Sequence, residues 1–594
     1  MRFRAVAAVC AAALVACQGT GTPSPSSSPA NPLAAADAKL LSGDYEGAEA
    51  AYQDLAKQGV PDTTAHYALL LDYEGRYREA VVQATAAVKD HEDSAALARL
   101  TRAYDWADDV PAAVDAGARA AKAEPVDPLA HVFYSEALAD AGRFADAQRE
   151  LRQAEQAKGS DPYLKSEIYR EWANYYRDQG DDQSELNNLQ LSLRAQPKFP
   201  ERGFELARFQ YVAKRVDLAR QAISNAVNGS RSTALLTVAG DVAVIPLDFD
   251  TANQWYQAAD KAAGPGSARA EVGLAEVAMI SKHDSKAAHD QLVGALKKNP
   301  ADSNAYEFLS HLDRYVLKTD PAADLKAVGP EPGDLAAARK AVVDTVNADR
   351  QRAGVPALKA DTSLDTASEA HAWYVAFNFG ADTLSGLGIH QESASLPGYT
   401  GAGPLARDRA AGFQGNRGSE VINHVFTPVA AIGVWIDSVY HRFPLLSPET
   451  QVAGYGEATL GPLSVSVMDL GLGPAASTPP VVYPAAGQTG VPVGFIGGEI
   501  PNPVPSGAQL PVGYPITVQT GNGSNLQVSS IKVTDPDGKD VAAYVLNPGK
   551  EVDTGEVAVL PQQPLKPATA YTVDVEGTLD SSALSKKWSF TTGG

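Results

Sequence analysis

The stretch GIHQESASLPGYTG, beginning at Gly388, sets a histidine and a glutamate two residues apart, His390 and Glu392. Further along stand Glu420 in SEVIN and His441 in SVYHRFPLL. Brought together, such side chains support three kinds of chemistry. They can bind Zn²⁺ or a similar divalent ion, with His390 and His441 as candidate metal ligands. Without a metal, each carboxylate can hold one imidazole in a chosen tautomer. The same set can also perform general acid–base work. A nucleophile is missing: there is no G-x-S-x-G, and the two cysteines, Cys10 and Cys17, sit in the first 17 residues. His390 and Glu392 point the same way only on extended chain, because strand side chains alternate. Glu420 and His424 would share a face if helical, but E-x-x-x-H lacks the second histidine of the H-E-x-x-H zinc motif.

These residues need elements to position them. LAAARKAVVDTVNADRQRAGVPAL reads as an amphipathic helix stopped by Gly354 and Pro356, and SLDTASEAHAWYVAFN as a second helix with Ser363 as its N-cap. After the His390 stretch come GSEVINHVF, VAAIGVWIDSVYHRFPLLSP and two strand-like runs, VAGYGEATL and LSVSVMDLG. This order, over residues 334–471, resembles the CAP (SCP-like) superfamily of cysteine-rich secretory and pathogenesis-related proteins. The resemblance implies an α–β–α sandwich with a cleft lined by two histidines and two glutamates. Carried over, these are His390 and His441, Glu420 in the place of the family's GEN-like motif, and Glu392. SVYHRFPLL departs from the family's SPGHR-N pattern, as in a divergent bacterial branch. His371 and His424 read as structural. The resemblance implies ligand binding, lipids and sterols included, ahead of catalysis. No residue is assigned as catalytic, and a hydrolase using the His/Glu set with a divalent metal is the alternative.

Upstream, LLSGDYEGAEAAY, YEGRYREAV, DWADDVPAAVDA and ADAGRFADAQREL align on Tyr45, Tyr77, Val110 and Phe144, each with an alanine three residues later: Ala48, Ala80, Ala113 and Ala147. The spacing of 32 to 34 residues resembles the tetratricopeptide repeat, a helix–turn–helix unit that buries its apolar face only by stacking. Looser copies continue to Pro300. An all-α solenoid is expected over 34–318, with a concave groove for a protein or peptide. A helical spacer without a ligand is the plainer alternative.

The N-terminus carries Arg2 and Arg4, the short apolar run AVAAVCAAALVA and then Cys17. LVAC resembles the lipobox of bacterial lipoproteins, which implies cleavage before Cys17 and lipidation of its thiol, with residues 1–17 as signal and 18–33, rich in Pro and Ser, as a flexible tether. Past STPPVVYP the texture turns to Pro, Gly and short alternating runs. PAAGQTGVP and WSFTTG resemble bacterial Ig-like β-sandwich domains over 478–594. Asp535, Asp537 and Asp540 in TDPDGKD read as a turn rather than a calcium loop. A net charge of -21 disfavours nucleic acid as a partner. The expected protein is an extracytoplasmic, membrane-anchored lipoprotein that binds a protein or peptide in its repeat groove and a metal or small apolar ligand in its cleft.

Overall fold

The computed structural model describes residues 32–593 except 158, 179–180, 263–267, 321–334, 426, 475–476 and 522. The signal segment, Cys17 and the tether as far as residue 31 lie outside the described residues. The first helix opens at Pro32, just inside the expected tether, and Leu33 already belongs to the core.

Eight pairs of packed helices follow, over 32–57, 63–90, 94–120, 128–157, 162–195, 200–227, 233–262 and 269–298, here repeats 1 to 8. The helix Ser303–His311 closes the array. Aspartates in the tight turns set the start of the second helix. Asp44, Asp109 and Asp284 accept hydrogen bonds from the backbone N–H of Gly47, Ala112 and Ala287. Ala48, Ala80, Ala113 and Ala147 are buried, so neighbouring helices approach without a large side chain between them.

The array curls tightly. Glu46 of repeat 1 accepts from the N–H of Ala234 in repeat 7 at 2.7 Å, and Arg269 of repeat 8 donates to the carbonyl of Glu74 in repeat 2 at 2.8 Å. A given repeat therefore meets the sixth one after it, which is one full turn. Across that turn the inner faces touch. Tyr73 of repeat 2 donates to Glu167 of repeat 5 at 2.8 Å and packs edge-on against Phe199 at 4.8 Å. Glu167 also accepts from Arg102 at 3.0 Å, from Arg170 at 2.9 Å and from Arg202. All four charged groups are buried. Burial pushes the Glu167 carboxyl up, but the three guanidinium charges and the Tyr73 bond hold it well below the usual range. The open groove expected of the repeats is filled, along this stretch, by the chain's own side chains.

The last repeat carries the next domain. Met279 and Ile280 share a core with Phe308, with Trp373 and Phe377 of the helix Thr362–Phe377, and with Val465 and Val467. His311 stacks on Trp373 at 4.5 Å and reaches Glu369, which Arg339 also binds. The sheet consists of β1 (Lys359–Ala360), β2 (Gly418–Asn423), β3 (Thr450–Leu460) and β4 (Leu463–Leu472), in the order β1-β3-β4-β2. Alternation gives each face its own core. Val465 and Val467 look toward the helix Thr362–Phe377, while Met468 and Leu470 join Val342, Val346 and Trp435. On β3, Gly454 and Gly456 lie under that helix. A Cβ there would come 2.1 Å from the nitrogen of Asp365 and 2.0 Å from that of Glu369. Only glycine permits this backbone-to-backbone contact, and it fixes the helix's height above the sheet.

Beyond residue 476 lie β5 (Val481–Tyr483), β6 (Gly494–Phe495), β7 (Val512–Gly513), β8 (Ile516–Gln519), β9 (Leu526–Thr534), β10 (Ala543–Leu546), β11 (Glu556–Pro561), β12 (Ala570–Leu579) and β13 (Ser582–Thr591). They form the sheets β10-β11-β8-β5 and β13-β12-β9 and the pair β6-β7. Val518, Val559, Val573 and Trp588, drawn from both larger sheets, share one core with Trp435 of the preceding domain. Asp535 accepts from the N–H of Asp537 and Lys539, both at 3.0 Å, as a turn requires.

Glu167→Gln removes the charge that three buried guanidinium groups share. It is expected to destabilise the repeat array by about 3–5 kcal/mol, read as a lower urea midpoint of the helical circular-dichroism signal. An unchanged midpoint would contradict the closed-turn arrangement.

Candidate functional site

The sheet and the helix Thr362–Phe377 enclose a cluster of ionisable side chains. Glu420 sits on β2 directly opposite Asp469 on β4. Both face the helix, where Ser368 donates to Asp469 at 2.8 Å. His371, one turn further along that helix, lies 3.8 Å from Glu420. A 3₁₀ turn, Gly386–His390, delivers His390, whose Nδ1 is 2.8 Å from Glu420 Oε1. The chain is extended at Gln391, and Glu392 then reaches His371 Nδ1 at 2.9 Å.

Arg407, from the short helix Pro404–Ala410, ties the two pairs together. It donates to Glu420 Oε2 and, at 3.1 Å, to the carbonyl of His390, and it lies 3.8 Å from Glu392. Glu392 is further held by the N–H groups of Thr400 at 2.6 Å and Gly401 at 3.1 Å.

The cluster is a balance of buried charges. Burial alone would raise the Glu420 carboxyl, but His371, Arg407 and the His390 bond bring it down to about 2, so it is ionised. Its charge acts on the acids around it. Burial, then Glu420, pushes Asp408 up to about 7, and the same two causes push Asp469 well above the carboxylate range. Among the described residues neither Asp408 oxygen has a hydrogen-bond partner, which suits a group without charge. Ionised Glu420 can only accept, so His390 Nδ1 carries the hydrogen between them. Nε2 is then the nitrogen open to a ligand, on a side chain 21% exposed. His371 is fully buried, and both its ring nitrogens face oxygens at 2.9 Å, Nδ1 that of Glu392 and Nε2 the carbonyl of Ile389.

Two histidines and two glutamates therefore meet, but they are not the set expected. His390, Glu392 and Glu420 come together, and the second histidine is His371. His441 is bonded to a third glutamate. Its Nδ1 is 2.9 Å from Glu499, a residue of the segment between β6 and β7. Glu499 accepts from the backbone N–H of Val439 at 2.9 Å and of His441 at 2.8 Å, while Val439 and Phe443 pack with Phe495 and Val504. The C-terminal region thus captures the SVYHRF segment and its histidine. His424 follows the strand β2 and meets the carbonyl of Ser464 at 2.9 Å, so no helical Glu420–His424 pair exists.

His390 and His441 bind different glutamates, and Arg407 occupies one oxygen of Glu420. Among the described residues no group of three or more His, Cys, Asp or Glu side chains is arranged to hold a metal ion.

The sequence pattern reads His371 as structural and does not single out Arg407. The signal available was polarity out of place: Ser368 and His371 recur at helical spacing on a helix otherwise rich in alanine and aromatic residues. Folding raises the Asp408 carboxyl from 3.8 to about 7, so the folded state holds that proton more tightly than the unfolded chain does. The associated stability is complete below about pH 4 and lost as pH rises toward 7. Asp408→Asn is expected to flatten this part of the dependence of Tm on pH. A decline as steep as in the unsubstituted protein would contradict the assignment.

Among solved structures the chain is similar to the APC/C hetero-tetramer Cut9-Hcn1, with 16% identity and a TM-score of 0.30, over 48% of this chain and 56% of that one. It thus spans little more than half of that neighbour's length. It is also similar to a tetratricopeptide repeat protein from Parabacteroides merdae ATCC 43184, with 12% identity and a TM-score of 0.25, over 39% of this chain and 92% of that one. A third is pilF of Pseudomonas aeruginosa, with 19% identity and a TM-score of 0.23, over 37% of this chain and 99% of that one. No curated protein matches the chain. Residues 343–469 match the family model of CAP, the cysteine-rich secretory protein family. That span includes the whole His/Glu/Arg cluster, and a CAP domain is present in this chain.

Proposed function

We propose that this protein is a cell-envelope lipoprotein, anchored through Cys17, whose CAP domain binds a small ligand at His390. The observation that carries this reading is the His390–Glu420–Arg407 arrangement. A carboxylate fixed by a guanidinium holds one imidazole nitrogen, and the other is left open to a ligand that brings a hydrogen-bond donor. Lipid attachment is supported by LVAC followed by a Pro/Ser tether that runs to the first packed residue, Leu33. No helix among the described residues is long and apolar enough to cross a membrane. The C-terminal strands, in the Ig-like reading, brace the CAP domain.

Helical repeats of this kind suggest protein binding. Because the inner faces of repeats 2 to 6 are filled by their own side chains, a protein partner would use the outer helices or the turns.

A second reading has one feature in its favour. A carboxylate-held imidazole is also the arrangement of a general base, and a hydrolase would use His390 Nε2 to take a proton from water. Ser368, the serine of the cluster, is fully buried and bonded to Asp469, so it is not presented as a nucleophile.

Palmitate labelling is expected in the full-length protein and absent from Cys17→Ser; labelling that persists in the variant would contradict the anchor. Native mass spectrometry of protein mixed with an organic extract of cell envelopes is expected to show a retained small molecule that His390→Ala loses. Equal retention would remove the ligand assignment. Turnover of a cell-wall or peptide substrate that disappears in Glu420→Gln would instead select the hydrolase reading.

A further inference from the structure

Two buried carboxyl groups of the repeat array have no cation of their own. Asp105 stands on the helix Ser94–Trp106, Glu136 and Asp140 on Pro128–Asp140, and Arg170 and Glu171 on Pro162–Asp178. Among the described residues Arg170 is the cation that faces Asp105 and Glu171, and the acids Glu136 and Asp140 face them too. That cation is already engaged. Its terminal nitrogens donate to Glu136 at 2.6 Å and 2.5 Å, and its Nε donates to Glu167 at 2.9 Å. Glu171 comes only within 3.5 Å of it. Asp140 is exposed, whereas Asp105 and Glu171 are buried. Among the described residues neither oxygen of Asp105, nor Oε1 of Glu171, has a hydrogen-bond partner.

A buried carboxylate without donors or a matching charge takes up a proton instead. Burial, then Asp140, Glu136 and Glu171, push the Asp105 carboxyl well above the carboxylate range, against the pull of Arg170. Burial and then Glu136 do the same to Glu171. The place of these groups gives the protons a consequence. Glu171 follows Glu167 by one helical turn, and Arg170 serves both Glu136 and Glu167. A carboxylate at Asp105 or Glu171 competes for that guanidinium and draws it from Glu167, the group on which the inner faces of repeats 2, 5 and 6 meet.

We propose that Asp105 and Glu171 are a proton-operated latch on the closed turn of the repeat array. While both carry hydrogen, Arg170 stays with Glu136 and Glu167 and the inner faces hold together. When they ionise, the seam parts and the concave face, filled in the closed form, becomes available. The closed form binds these two protons more tightly than the open form, so their contribution to closure is complete below about pH 4 and is lost as pH rises through the raised range. Glu136 and Glu167, whose carboxyls are held low, act on the acid side only, where their contribution is lost as pH falls. The latch depends on neither the lipid anchor nor the ligand of His390.

The test is hydrogen–deuterium exchange of the full chain, read by mass spectrometry and corrected for the intrinsic pH dependence of amide exchange. Between about pH 6 and about pH 9, opening of the helices Ser94–Trp106 and Pro162–Asp178 is expected to increase up to about tenfold per pH unit for each proton released. The helix Ser285–Lys298, outside the seam, should keep its protection. In Asp105→Asn, Glu171→Gln, where amides replace the neutral carboxyls, protection of the seam should stay constant over the same range. The two single variants carry the comparison if the double variant does not fold, each removing one proton from the slope. Infrared spectra provide a second readout: the carbonyl band of un-ionised carboxyl groups should lose intensity as pH rises, and by less in each variant. Protection of the seam that ignores pH, or that falls equally in the variants, would overturn the proposal. So would an equal loss in Ser285–Lys298, which would be unfolding of the whole array, or an infrared band unaltered by the substitutions.

Discussion

A charge buried in protein must be matched where it stands, because desolvation costs it several kcal/mol. Glu420 imposes that condition on the CAP domain. It is ionised and fully buried at the side chain, and its surroundings follow from it. Arg407 arrives on a short helix to meet one oxygen, and His390 meets the other. Burial, and then the fixed negative charge beside them, pushes the Asp408 and Asp469 carboxyls up. The contact of Gly454 and Gly456 with the helix Thr362–Phe377 sets the height at which Ser368 and His371 reach the cluster. The outcome is one open imidazole nitrogen on a rigid, charge-balanced base.

The repeat array meets the same condition in another way. Glu167 lies where the inner faces of repeats 2, 3, 5 and 6 converge, matched by Arg102, Arg170 and Arg202. A concave surface that would face a partner becomes interior. The array then acts as a rigid mount, joined to the CAP domain through the stack of His311 on Trp373 and the bond from His311 to Glu369. The C-terminal region is a second mount. Arg442 lies 4.8 Å from the Tyr483 ring and 5.0 Å from that of Tyr514, and it donates to the carbonyl of Pro515 at 2.7 Å.

Local patterns made the helical repeats readable. An aromatic or aliphatic residue, an alanine three positions later and a break recur at a near-constant period, and each part of that pattern is satisfied within one repeat. Closure of the turn was not readable, because it depends on a small rotation per repeat summed over six of them. His390 and Glu420 were legible because family-like motifs surround them. His371 stands in the family-like stretch EAHAWYVAFN but reads there as structural, and its role appears only when the helix is laid on the sheet. The motif around His441 points to the cleft and gives no sign of Glu499, 58 residues downstream, which takes its Nδ1 and the backbone around it. A partner supplied by another domain leaves no mark in the local sequence.

The pairing of His390 with Glu420, independent of His441, can be read directly from the ¹⁵N resonances of the imidazole rings in the full-length protein. The account places hydrogen on Nδ1 of His390, with Nε2 free. His441→Gln should leave those resonances in place, and Glu420→Gln should shift them. Resonances of His390 that move in His441→Gln and stay fixed in Glu420→Gln would contradict it.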